Sequence, residues 1–122
     1  MIDSVRSGSA VIAVCAGGLL PSALASGAFL HVRPSTAPRG SAVVFTGSVA
    51  QGCARGDQVT LISRLFPGHA FGGEGAITTR VGAHGRFTRR FSVGTRVARG
   101  TYVVTARCGG GNLGVEAKLR VR

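Results

Sequence analysis

The sequence predicts an antiparallel β-sandwich of about seven short strands. Apolar and polar residues alternate in many short runs, and glycine-rich turns separate these runs. No segment after residue 26 has the apolar periodicity of an amphipathic helix. The chain has 122 residues, of which 20 are Gly and none is Trp, so its length suits a single domain. We therefore expect one all-β domain.

Each strand is predicted from the alternation of its side chains. The predicted strands cover residues 30–33, 41–48, 58–61, 76–81, 85–93, 102–108 and 115–121. The fifth is irregular, because Arg89 shares the parity of its apolar neighbours Phe87 and Phe91. Either a β-bulge shifts the register at Arg89, or Arg89 reaches solvent from an edge strand. Residues 34–41 and 66–75 are predicted to be loops.

Residues 1–25 are predicted to be a helical secretory signal peptide that is removed on export. The apolar run of residues 10–20 has signal-peptide length, and the sequence ALA at 23–25 has the small-x-small pattern that signal peptidase accepts. This run is shorter than the about 20 apolar residues of a membrane span. The alternative is an uncleaved anchor. The folded domain then covers residues 26–122 and is secreted or lies at the cell surface, without an integral membrane span.

Cys53 and Cys108 are the only cysteines that follow the signal segment. An even number of cysteines in an exported chain favours a disulfide, so we expect these two to be bonded. The alternative is a catalytic cysteine paired with a histidine. Nothing in the sequence brings His31, His69 or His84 to a thiol.

The net charge of +11 is carried almost wholly by Arg. One interpretation is a polyanionic partner, such as an anionic polymer of the cell envelope. The other is a GC-rich genome, which raises the frequency of Arg, Ala and Gly without any ligand. The arginines with outward parity are Arg80, Arg86, Arg90, Arg107 and Arg120. Because no aromatic residue is interleaved with these arginines in a way that would stack bases, we expect no specific nucleic-acid recognition.

The loop FPGHAFGG holds the candidate partner-binding residues Phe66, His69 and Phe71. Exposed loop aromatics suit contact with a partner or a glycan. The alternative is that one or both phenylalanines fill the end of the sandwich, since a small core recruits aromatic residues from loops.

The rest of the chain has few residues that could act in catalysis or bind a metal ion. Asp57, Glu74 and Glu116 are the only carboxylate side chains after the signal segment. They are too few for a calcium site or for a strong pair of acid and base residues. The three histidines lie in separate segments without the spacing of metal ligands. We therefore predict no catalytic residue, no metal site and no cofactor, and we expect that the protein is not an enzyme.

Four segments together resemble the secreted immunoglobulin-like domains common in actinobacteria. They are LHVRPSTAPRGSAVVFTGS, CARGDQVTL, GRFTRRFSV and GTYVVTARCGGGNLGVEAKLRV, and the resemblance covers about residues 28–122. It implies an immunoglobulin-like sandwich, one cystine and an extracytoplasmic location. Tyr102 resembles the residue of a tyrosine corner. A fainter similarity, in size, glycine-rich strands and export, is to the neocarzinostatin family, whose small sandwiches hold a chromophore in a cleft.

These observations give two hypotheses for function. The first is a monomeric, non-enzymatic module at the cell exterior that binds an extracellular protein or an anionic envelope polymer. The second is a small-ligand carrier of the neocarzinostatin type. A deep cleft between the sheets would favour the carrier, and a filled core would favour the binding module.

Overall fold

A computed structural model describes residues 27–50, 52–109 and 111–122, and the predicted signal helix lies outside them. Eight strands and one short 3₁₀ turn, Ala83–Gly85, form the described part. The strands are β1 (Phe29–Arg33), β2 (Thr36–Ala37), β3 (Ala42–Ser48), β4 (Gln58–Ser63), β5 (Gly75–Arg80), β6 (Arg86–Ser92), β7 (Gly100–Cys108) and β8 (Gly111–Val121). Among the described residues, no helix is long and apolar enough to cross a membrane.

The strands form two sheets that pack as an immunoglobulin-like sandwich. One sheet has three strands in the order β1-β3-β6, and the other has five in the order β2-β8-β7-β4-β5. Neighbouring strands are antiparallel except β2, which pairs in parallel with β8 through Thr36 and Ala37. The prediction of an all-β sandwich is confirmed.

The strand β2 is absent from the prediction, which assigned residues 34–41 to a loop. After β1 the chain leaves the three-stranded sheet and pairs briefly with β8 in the other sheet. The Arg120 amide donates to the Ser35 carbonyl, and the Arg122 amide donates to the Ala37 carbonyl. Because this pairing joins residues more than eighty positions apart, the local sequence pattern does not reveal it.

The core lies between the sheets and is filled by side chains of the predicted inward parity. Fully buried side chains come from both sheets: Val43, Phe45, Val59, Leu61, Val104 and Leu119. Burial alternates along β3, where every second residue from Val43 to Gly47 is buried. Apolar side chains that meet in this way account for most of the stability of a small domain.

Arg89 resolves the irregularity of the fifth predicted strand. The pairing of β3 with β6 is regular from Ala42–Ser92 to Ser48–Arg86, without a bulge. Strand β6 is an edge strand, and Arg89 is half-buried there. Its Nε donates to the carbonyl oxygen of Thr78 on β5, at 2.8 Å. The Arg89 side chain therefore extends past the edge of its sheet, and its hydrogen bond links the two sheets.

A disulfide and a side-chain hydrogen bond stabilise the opposite ends of β7. Cys53, in the β3–β4 connection, is bonded to Cys108 with a Cα–Cα distance of 6.2 Å, so the predicted disulfide is confirmed. At the other end, the hydroxyl of Tyr102 donates to the carbonyl of Ala98 at 2.6 Å. A tyrosine at the start of this strand, bonded to the backbone a few residues upstream, is the arrangement of a tyrosine corner.

Candidate functional site

The outer face of the three-stranded sheet brings three rows of side chains together. Side chains alternate along each strand, so the residues between the core positions of β1, β3 and β6 point away from the core. The rows are Phe29–Ser48–Arg86, His31–Thr46–Thr88 and Arg33–Val44–Arg90. We call this surface the three-stranded face. Its two outer strands are about 10 Å apart, twice the spacing of neighbouring strands.

The three-stranded face is cationic and carries no acid. The three arginines Arg33, Arg86 and Arg90 are exposed, and the imidazole of His31 is exposed beside them. No Asp or Glu occurs in any of the three strands, because the acids of the described chain lie at positions 57, 74 and 116. Positive side chains without neighbouring carboxylates produce an uncompensated local field, which attracts anions.

Two aromatic rings lie among these cations. The ring centroids of Phe29 and His31 are 4.9 Å apart, with an interplanar angle of 35°. The guanidinium carbon of Arg86 lies 5.6 Å from the centroid of the Phe29 ring, which is within cation–π range. Phe29 therefore lies next to an outward arginine. The sequence pattern does not reveal this contact, because β1 and β6 are brought together only through β3.

A hollow of about 440 Å³ opens beside Arg86. Its lining includes Phe29, Thr46, Thr88 and the two arginines Arg80 and Arg86. Arg80 is held in position by its own backbone contact, since Nη1 donates to the carbonyl of Gly56 at 2.9 Å. The hollow thus combines two guanidinium groups, two hydroxyl groups and two phenyl rings, those of Phe29 and the buried Phe87, and no carboxylate lines it.

The five arginines with predicted outward parity are divided between the two sheets. Arg86 and Arg90 lie on the three-stranded face. Arg80, Arg107 and Arg120 lie on the five-stranded sheet, where Glu116 offsets part of the charge. Arg107 is half-buried and takes part in contacts within the protein. The sequence prediction did not include Arg33 in this group, although its alternation with Val32 was the available signal.

The structure separates the three predicted partner-binding residues. Phe66 is only 4% exposed, and its ring packs edge-on against Phe45 and Phe91, with centroids 5.7 and 4.9 Å away. It therefore belongs to the core, as the alternative interpretation of this loop proposed. His69 and Phe71 are exposed, and their role in binding a partner stays a prediction.

Phe71 is presented by a tight hairpin within the predicted loop. The amide of Phe71 donates to the Glu74 carbonyl at 3.1 Å, and the amide of Glu74 donates back at 3.2 Å. Gly72 and Gly73 between them both have positive φ, of 65° and 94°, as a two-residue hairpin turn requires. Phe71 is 39% exposed and lines a second hollow, of about 500 Å³, with Asp57.

The described residues contain no group of three or more His, Cys, Asp and Glu that is placed to hold a metal ion. Ser63 is the buried polar residue of this part of the chain. Its hydroxyl accepts a hydrogen bond from the amide of Leu65 at 3.1 Å, so its role there is structural. The arrangement of side chains thus supports binding through charge and ring contacts.

No protein-family model matches the chain, and no curated protein sequence matches it. Solved structures do match. One is the alkylpurine DNA glycosylase of Pseudomonas fluorescens, bound to DNA containing an abasic-site analogue. It has a TM-score of 0.54 and 19% identity, over 79% of this chain and 30% of that one. A dockerin–cohesin complex matches with a TM-score of 0.35 and 11% identity, over 78% of this chain and 99% of that one.

The similarity to the glycosylase concerns the fold alone, because the sequence identity is low. This chain spans about 30% of the length of that enzyme. The chain is therefore similar to one part of a larger protein.

Proposed function

We propose that this chain is a non-enzymatic, immunoglobulin-like module at the cell exterior that binds an extended polyanion on its three-stranded face. The observation that carries the proposal is the acid-free cluster of Arg33, Arg86 and Arg90, which the sheet register places on one surface. Anionic polymers of the cell envelope are among the polyanions that its predicted location would offer.

The predicted location rests on two observations. Disulfides persist in oxidising compartments, and Cys53 is bonded to Cys108. The N-terminal pattern predicts a cleaved signal peptide. Sequencing the N-terminus of the exported product should find a start between Ser26 and Phe29. A membrane-bound product that retains residue 10 would instead indicate an anchor.

The filled core supports a surface-binding module over the alternative of a small-ligand carrier. A carrier of the neocarzinostatin type would hold its ligand in a cleft. Here, side chains such as Phe45 and Leu61 occupy the space between the sheets without any exposure. The hollow beside Arg86 lies at the edge of this core, where Gly47 and Phe87 form its buried side and Arg80, Arg86 and Thr88 are exposed.

A pair of double variants distinguishes a localised site from a diffuse positive field. Arg33→Ser with Arg90→Ser removes two cations from one row of the three-stranded face. Arg96→Ser with Arg99→Ser removes the same charge from exposed positions in the β6–β7 loop. Binding of the full chain to polyphosphate should be measured for both at several salt concentrations.

For a localised site, the face variant should lose most of its binding at ~150 mM salt, where the Debye length is about 8 Å. The slope of log K against log salt should become shallower by about 1.4–1.8, because each neutralised backbone charge contributes about 0.7–0.9, depending on the charge spacing of the polymer. The loop variant should remain close to the unmodified chain. Equal losses in both variants would indicate a diffuse field and would contradict the proposal.

A further inference from the structure

We infer that the polyanion bound by the three-stranded face is a single-stranded nucleic acid, held without sequence preference by stacking as well as by charge. This inference rests on the proposed function, because it names the class of polymer that the same face binds. Charge alone would accept any polyanion. The contacts between aromatic rings and guanidinium groups on this face supply an additional selectivity.

The first observation is a row of planar groups that crosses the face from Arg86 on β6 to Phe29 on β1 and continues to His31. The Arg86 guanidinium lies 5.6 Å from the centroid of Phe29, and the Phe29 ring lies 4.9 Å from that of His31. Nucleobases stack on phenyl, imidazole and guanidinium planes. A polymer without rings would gain nothing from Phe29 beyond the charge of its neighbours.

The second observation is the hollow next to this row. Its volume of about 440 Å³ falls within the range of sites that hold a small molecule, so a single nucleotide unit fits there. Arg80 and Arg86 border it and can pair with a phosphate group. Thr46 and Thr88, which are opposite each other across β3 and β6, offer hydroxyl groups to the edges of a base.

The same features favour a single strand over a duplex. Bases inside a duplex are stacked on one another, so their faces do not reach protein rings. A single strand can turn a base outward onto Phe29 while its backbone follows Arg33 and Arg90. Since every base has an aromatic face, stacking of this kind is tolerant of sequence. It therefore agrees with the expectation of no specific nucleic-acid recognition.

The test compares three probes on the full chain with its disulfide intact: an oligothymidylate, a duplex DNA and polyphosphate, matched in charge. Phe29→Leu removes the ring and retains an apolar side chain. Val103→Ala, which truncates an exposed apolar side chain on β7 of the five-stranded sheet, is the control. We expect Phe29→Leu to weaken oligothymidylate binding about tenfold, since one lost stack has about this effect. Phe29→Leu should change polyphosphate binding by less than about twofold, and Val103→Ala should change the binding of neither probe.

A second variant keeps the test informative where Phe29→Leu lowers the melting temperature. Arg86→Lys preserves the charge and removes the planar guanidinium, so it should weaken oligothymidylate binding selectively. Equal affinity for oligothymidylate and polyphosphate, unchanged by either variant, would overturn the inference and leave the proposed function in place. Equal affinity for single-stranded and duplex DNA would overturn it as well. Failure of all three probes to bind would instead refute the proposed function.

Discussion

Breaking the bond between Cys53 and Cys108 should strongly destabilise the domain. The bond joins residues separated by 55 positions, and the closed loop includes all of β4, β5, β6 and β7. The informative variant is Cys53→Ser combined with Cys108→Ala. Alanine is used at the second position because Cys108 is buried, where a new hydroxyl without a partner would add its own cost.

The size of the effect follows from the length of the loop. In the chain-entropy model, a bond closing a loop of 55 residues lowers the entropy of the unfolded chain enough to stabilise the fold by about 4 kcal/mol at 25 °C. A stability change of 1 kcal/mol shifts the melting temperature of a domain of this size by about 4–8 °C. We therefore expect the melting temperature to fall by about 15–30 °C.

The assay is thermal unfolding followed by circular dichroism, with and without reductant. The unmodified chain should become as unstable as the double variant when it is reduced, and the reductant should not affect the variant. Thiol titration of the denatured, unreduced protein should find no free thiol. A loss of stability below about 1 kcal/mol would refute the entropic argument, and two reactive thiols would refute the bond itself.

Other substitutions test the packing of the sandwich. Gly47→Ala would place Cβ 2.2 Å from a ring carbon of the β6 phenylalanine beneath it, so unfolding experiments should show a loss of about 1–3 kcal/mol. Gly82→Ala, whose nearest contact is 3.4 Å, is the control and should change stability little. Phe66→Ala should cost about 3–5 kcal/mol and Phe71→Ala less than about 0.5 kcal/mol; similar losses would contradict their assigned burial. Tyr102→Phe should cost about 0.5–1.5 kcal/mol in denaturant titrations, because it removes one hydrogen bond; no change would mean that the corner bond contributes nothing.

The alternation of side chains was sufficient to predict most strands and their buried faces. In β8 the predicted inward residues Ala117, Leu119 and Val121 are buried and the residues between them are exposed. This succeeds because a strand with one buried face must alternate every second residue. The start of β8 was predicted too late, at residue 115. The strand begins at Gly111, and its pairing with β7 shifts between Asn112 and Glu116, which disrupts the local pattern.

In the loop between β4 and β5, the local sequence pattern does not predict which side chains are buried. Phe66 and Phe71 lie five residues apart in similar glycine-rich surroundings, yet one is in the core and the other on the surface. The GG pair at positions 72 and 73 was a usable signal for the hairpin that presents Phe71. No comparable signal exists for Phe66, because its burial depends on Phe45 and Phe91 from the opposite sheet.

The sequence by itself determined the properties that depend on residue types and on neighbours along the chain: an all-β fold, two cysteines able to pair, and a net charge of +11. Only the tertiary structure decided which charges share a surface. Arg33 and Arg90 lie in one row because both pair with Val44 on the strand between them. Phe29 approaches Arg86 for the same reason. The register between strands distant in sequence is set by how their buried faces fit together, and this fit is a property of the assembled core.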